Sequence, residues 1–305
     1  MTWWGSAVRV RLVLPNLYSR NSELAKAARC FCLSVSKKFP LLKTASLPSA
    51  ILRPLTGFIG AIYLMNGGMN GVIGLVKFFR KSEWLDDLIN GLFYCNTPEY
   101  YRISEQNGVS DLHESCVHAY RSDRGDESIQ VKVNGHEITN LYACTLHGSQ
   151  LRDHWLHCWM ILIFPDTDDA LEKLVLDINR MRSEFGKEFA FIDARKIPEI
   201  AERLAASTPH DISHGHVIYS ADRKDWSAGC KPENYAYQRE YRFLVGECSS
   251  LCTQHKELRY EGGFSDLVVK NPNIALSNAA SGRPWFALTP EGCEIDLAAI
   301  PRLAC

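Results

Sequence analysis

Acidic residues are almost absent from the first 68 positions, where nine Lys and Arg stand against the single Glu23. The rest of the chain carries 25 basic and 34 acidic residues, so the net charge of −1 conceals two segments of opposite sign. Such a split marks pieces with different roles. Long apolar runs are missing as well. Pro54–Met65 spans 12 residues, against the roughly 20 that a helix needs to cross a bilayer, and Asn66-Gly67-Gly68 ends it. Stable membrane insertion is not expected. No sustained period runs through the first 70 residues, because Pro15, Pro40, Pro48 and Pro54 cut them short. No HExxH, P-loop or GxSxG pattern occurs, which removes support for zincin, P-loop NTPase and serine-hydrolase chemistry. Internal repeats and low-complexity tracts are absent.

Three readings compete for residues 1–68. An Arg-rich, Ser-rich, acid-poor stretch is like an organellar targeting segment. The apolar run suggests a membrane anchor. A reading frame begun too far upstream accounts for the unpatterned composition, with Met65 and Met69 just ahead of the first good strand, and is preferred. On any of them the segment is expected to be disordered or loosely packed. Residues 69–305 form one α+β domain.

Cysteine is plentiful. The 11 residues are scattered, odd in number and partly set in apolar runs, which reads as free thiols in a reducing, cytoplasmic compartment. Cys248 and Cys252 have C-x3-C spacing, but no second pair matches it.

The chain is organised around Val72 to Thr97, read as strand, short helix, strand. Val72–Phe79 is apolar and β-branched or aromatic. Ser82 is the expected N-cap, Trp84, Leu85, Leu88 and Ile89 the buried stripe, and Asn90-Gly91 the stop. Leu92–Cys95 resumes a strand, and Pro98 opens a helical turn. Residues 103–115 read as a polar loop. Asn134-Gly135 joins two alternating runs, a strong hairpin signal. Cys158–Phe164 reads as a central strand. Asp166–Phe185 carries Leu171, Leu174, Val175, Ile178, Met181 and Phe185 on one stripe before Gly186. Ile197–Ala205 is a second amphipathic helix. The expected fold is α+β: mostly antiparallel sheets of eight to ten short strands with two or three packed helices.

The leading chemical candidate is Gln238-x-Glu240-x-Arg242. Three long polar side chains on one strand face cost too much if buried unpaired, so that face borders water or a cleft. It is either a solvated strand with cross-strand ion pairs or a cleft carboxylate, Glu240, held by Arg242. Arg102, Glu105, Asp111 and Glu114 form a second group, read as a solvated turn. His147, His154, His157, His210, His214 and His216 read as surface or cap residues, and no metal site is assigned. Lys77, Arg80 and Lys81 beside Phe78 and Phe79 make only a small basic-aromatic patch, so nucleic-acid binding gains little.

Residues 72–246 resemble an uncharacterised bacterial and phage family. The likeness rests on Lys77–Thr97, the Tyr100-Tyr101-Arg102 turn, the acidic loop and the late Tyr237-Gln238-x-Glu240-Tyr241-Arg242 strand. That plan is distantly similar to the ADP-ribosyltransferases. The resemblance implies Glu240 as the catalytic carboxylate with Gln238 and Arg242 beside it, and NAD as cofactor. Phe79 or Arg80 stands where a cofactor-gripping residue would, and Cys95-Asn96-Thr97 replaces a Ser-Thr-Ser triplet. Asn96, Thr97, Tyr101 and Arg102 complete the implied cofactor set. A protein or nucleic-acid target, or a non-catalytic regulatory role in a phage-related or defence setting, is compatible with it; a histidine-based metal-dependent hydrolase or nuclease is a further alternative.

Overall fold

The computed structural model describes residues 9–13, 72–148, 151–163, 167–277 and 282–300. Arg9–Val13 forms strand β1, paired antiparallel with a later strand. The other expectations for residues 1–68 lie outside the described residues.

From Val72 the elements follow in order. Strand β2 (Val72–Phe79), helix α1 (Ser82–Ile89), β3 (Leu92–Cys95) and α2 (Pro98–Ile103) come first. Next are β4 (His118–Arg121), the hairpin β5 (Val131–Val133) and β6 (His136–Ile138), β7 (Ala143–His147) and the long β8 (Asp153–Ile163). Helix α3 (Asp168–Phe185), β9 (Glu188–Asp193), α4 (Ile197–Ala206), β10 (Ile212–His216) and β11 (Ile218–Ser220) continue the chain. Then come β12 (Cys230–Pro232), β13 (Glu240–Cys248), β14 (Lys256–Arg259) and β15 (Val268–Lys270). A three-stranded sheet of β16 (Ile274–Ser277), β17 (Pro284–Leu288) and β18 (Cys293–Ile295) follows. The fold is α+β, with more strands and one more helix than the sequence suggested.

Six strands build the central antiparallel sheet in the order β10-β13-β8-β2-β9-β15. Alternation along β2 sends Leu75 and Phe79 to one face and Val76 and Phe78 to the other. Helices α1 and α4 cover the first face through Leu85, Leu88, Ile200 and Leu204. Trp84 is half exposed and takes no part in the buried stripe; Ser82 begins the helix proper, behind Lys81 at the cap. Helix α3 covers the second face with Leu174, Ile178 and Met181, joined by Phe286 and Leu288 of β17. Each such aliphatic side chain contributes about 1.5–3 kcal/mol by leaving water. Gly186 ends α3 at φ 109°, and a Cβ there would stand 2.1 Å from the Phe79 carbonyl oxygen. Only glycine lets the chain pass so close beneath the end of β2.

One irregularity positions the site. The β2–β8 ladder ends at Val76↔Met160, although β2 runs on to Phe79 against β9 and β8 reaches back to Asp153 against β13. The sheet therefore splits beyond Met160. Past the split, Leu156 of β8 pairs instead with Asn96 through a single bridge.

Candidate functional site

Thr97 caps α2, accepting the Tyr100 N–H at 3.2 Å, with Pro98 in the first turn. This fixes Tyr101 and Arg102 at the start of the polar loop. The Tyr101 carbonyl accepts the Asp111 N–H at 3.0 Å, and the Asp111 carbonyl accepts the Glu114 N–H at 3.1 Å. The loop thus folds inward, and Asp111 and Glu114 are only 3% and 2% exposed. The expected solvated turn is corrected here, except at Glu105, which is exposed.

Glu114 meets Arg242 of β13 as a two-pronged pair, with Nη1–Oε1 at 2.8 Å and Nη2–Oε2 at 2.9 Å. The Arg242 Nε donates to Glu240 Oε2 at 2.6 Å. Lys231, from β12, donates to Glu240 Oε1 at 3.1 Å and to Gln238 Oε1 at 2.9 Å. Its ammonium also lies 3.4 Å from Glu114 and 3.5 Å from Asp111. Gln238 does not lie on the strand face as expected. It ends a 3-10 turn (Glu233–Gln238), and Arg239 at φ 44° swings the chain into β13. Lys231 brings Gln238 and Glu240 together nonetheless.

Within ion-pair distance, three carboxylates (Asp111, Glu114, Glu240) thus face two cations (Lys231, Arg242). Burial works against the Glu114 charge, but Arg242 and Lys231 outweigh it and hold that carboxyl at about 2. Burial and the neighbouring Glu114 push Asp111 up to about 6, against the pull of Lys231. The Asp111 Oδ2 is buried with no hydrogen-bond partner. Burial would lower Lys231, yet Glu240, Glu114 and Asp111 together keep it above the usual lysine range.

Glu240, Glu114, Lys231, Gln238 and Tyr101 form the polar wall of an interior cavity of about 100 Å³. Val76, Phe78, Met160, Met181 and Phe185 form its apolar wall. The cavity is roofed by the polar loop and α3, not by α1, which lies on the other face of the sheet. Gly108 separates it from an open outer groove of about 750 Å³ lined by Arg80, Arg180, Gln106, Asn107, Ser183 and Glu184. The Gln238 amide donates to the Gly108 carbonyl at 2.9 Å and holds that partition in place.

The residues implied as cofactor-binding scatter. Phe79 is buried on the opposite sheet face. Arg80 lies in the outer groove, donating to the Glu184 carbonyl at 2.9 Å through Nε. Asn96 is committed to the backbone bridge with Leu156, and Thr97 to its cap. Tyr101 reaches the cavity. Arg102 is fully buried in a second network, paired with both Asp153 oxygens at 2.8 and 3.0 Å and with the Glu114 carbonyl at 2.7 and 2.9 Å. Arg121 and Glu99 complete that network.

Sequence reasoning missed Lys231 altogether, because a lone lysine between Cys230 and Pro232 carries no pattern. Two of the six histidines differ from expectation, while His214 and His216 are exposed as expected. His147 is buried between the Ser115 carbonyl and the Ser250 hydroxyl. His157 stacks on Phe93 at 3.7 Å, and burial holds it well below the usual histidine range. Among the described residues, no three His, Cys, Asp or Glu side chains could hold a metal ion, all eight cysteines are free, and no helix is long and apolar enough to cross a membrane. Comparison with protein-family models, with curated proteins and with solved structures returned no match.

Proposed function

We propose that this chain is an enzyme in which Glu240 stabilises positive charge developing on a small substrate in the interior cavity. One observation carries the reading: a buried cluster of three carboxylates and two cations, of which Glu114, Glu240 and Lys231 reach the wall of a small recessed cavity. A fixed charge excess in such a place acts on a developing cation far more strongly than in water, and without reorganisation. ADP-ribosyl transfer, the reaction implied by the resemblance, passes through a centre of this kind. NAD, however, does not fit. A cavity of about 100 Å³ is small beside the several hundred that ligands of cofactor size occupy, and Phe79, Asn96, Thr97 and Arg102 are not among its lining residues. The reaction class retained is therefore group transfer through a cationic centre, with Glu240 as the electrostatic residue and Arg242 and Gln238 as residues that position it. The free thiols support a reducing, cytoplasmic setting.

The test uses pyrrolidinium, a five-membered cation of suitable size, and ligand-observed NMR on the intact chain. Glu240→Gln is expected to weaken binding by about tenfold or more, as the loss of one nearby charge requires. Equal binding by both proteins would sink the reading.

A second reading has its own support. Both Glu240 oxygens already accept hydrogen bonds, from Lys231 and Arg242, as in a buried network that specifies a fold. On that reading the chain is a non-catalytic regulatory module, and Glu240→Gln changes stability alone.

A further inference from the structure

Where β2 and β8 part, the Lys77 side chain bridges the gap. Its Nζ donates to the Cys158 carbonyl at 2.7 Å. No carboxylate lies within ion-pair distance of that nitrogen among the described residues. Lys77, Tyr101 and Cys158 all border the interior cavity, and all three are only partly buried. The Tyr101 hydroxyl has no hydrogen-bond partner among the described residues. Two buried polar atoms on the same stretch of β8, His157 Nε2 and Trp159 Nε1, also lack partners. The split therefore leaves an amine and a phenol at one small space, with Trp159 among its lining residues, while His157 faces Phe93 on the other side of β8.

We propose that Lys77 is a nucleophilic lysine that condenses with a short neutral aldehyde or ketone in this cavity, forming an imine at Nζ. The lone pair of the uncharged amine attacks the carbonyl carbon, and the carbonyl oxygen takes a proton to give a carbinolamine. That oxygen then leaves as water as the C=N bond forms, its two hydrogens being those the amine gives up. Tyr101, which lines the same cavity, is the phenol available to relay these protons and is itself unchanged. Protonation of the imine from solvent gives an iminium beside the carboxylate excess, which favours it. Burial lowers the basicity of Lys77 and so supplies the free amine that the attack needs.

The cavity also limits the partner. A dry protein cavity of about 150 Å³ takes six ring carbons, so about 100 Å³ suits about four or five heavy atoms. The same charge excess repels oxo acids and leaves neutral carbonyl compounds. That preference alone rests on the proposed function; the identity of the nucleophile does not.

Incubating the full chain with propionaldehyde and cyanoborohydride at pH 7, followed by peptide mapping, tests the assignment. An amine whose pKa falls has a larger uncharged fraction at this pH. Lys77 is expected to be alkylated faster than the exposed Lys81 and Lys187. Lys77→Arg keeps an N–H donor for the Cys158 carbonyl and should lose the fast site with an unchanged melting temperature. Alkylation of Lys77 no faster than of Lys81, or a fast site that survives in the arginine variant, would overturn the proposal. Pyruvate reacting as fast as propionaldehyde would overturn the substrate preference. A Lys77 that labels rapidly in a protein whose pyrrolidinium affinity ignores Glu240 would remove the proposed role of Glu240 and leave the nucleophile standing.

Discussion

Two buried charge networks meet at Glu114, and they differ in the one respect that matters for chemistry. On the α2 side, Arg102 and Arg121 face Asp153 and Glu99, two cations against two carboxylates, with their donors directed to protein oxygens. On the β13 side, Lys231 and Arg242 face three carboxylates, one oxygen of Asp111 has no hydrogen-bond partner, and the cluster opens on a cavity. A balanced, closed network holds elements together. An unbalanced one beside a cavity is costly to keep for structure alone, so it is the place to look for function.

That contrast can be broken most forcefully at Arg102. Arg102→Met leaves Asp153 buried without its partner, and the expected loss of stability is about 3–5 kcal/mol by urea unfolding. A loss below about 1 kcal/mol would show that the α2 network is not the structural one.

Asp111 sharpens the contrast through pH. It holds its proton up to about 6 in the folded chain, against an ordinary 3.8. The folded state therefore binds more protons than the unfolded chain between those values, and stability falls as pH rises from about 4 to about 6. Glu114, held at about 2, acts oppositely; its contribution is present above its ordinary 4.5 and fades as pH drops toward 2. Asp111→Asn should remove the fall between pH 4 and 6, a difference on the order of 2 kcal/mol across that window. Parallel profiles for the two proteins would contradict the assignment.

Glu240→Gln probes the same cluster with a smaller change. It leaves two cations facing two carboxylates, so the cost in unfolding free energy should be about 1 kcal/mol. A cost as large as that of Arg102→Met would mean that Glu240 is as structural as Asp153.

Much of the architecture was legible in the chain. The 3.6-residue stripe from Leu171 to Met181 found α3, and Asn134-Gly135 found the β5–β6 hairpin, since both depend on neighbours a few positions apart. Glu240 and Arg242 were legible for the same reason, as alternate residues of one strand. The rest of the cluster was not. Glu114 and Arg242 are 128 positions apart, and polar loop residues look identical whether they turn outward or inward. Phe79 shows the converse: one step along a strand reverses the face, and the resemblance could not choose the register.

The measurement that bears most directly on the charge excess compares pyrrolidinium with tetrahydrofuran, ligands of the same ring size that differ in charge. Binding to the wild-type chain at pH 7, followed by NMR, should favour the cation by at least about tenfold, or 1.4 kcal/mol. Equal affinities, or tighter binding of the neutral ring, would contradict the view that this cavity is built around an unbalanced carboxylate.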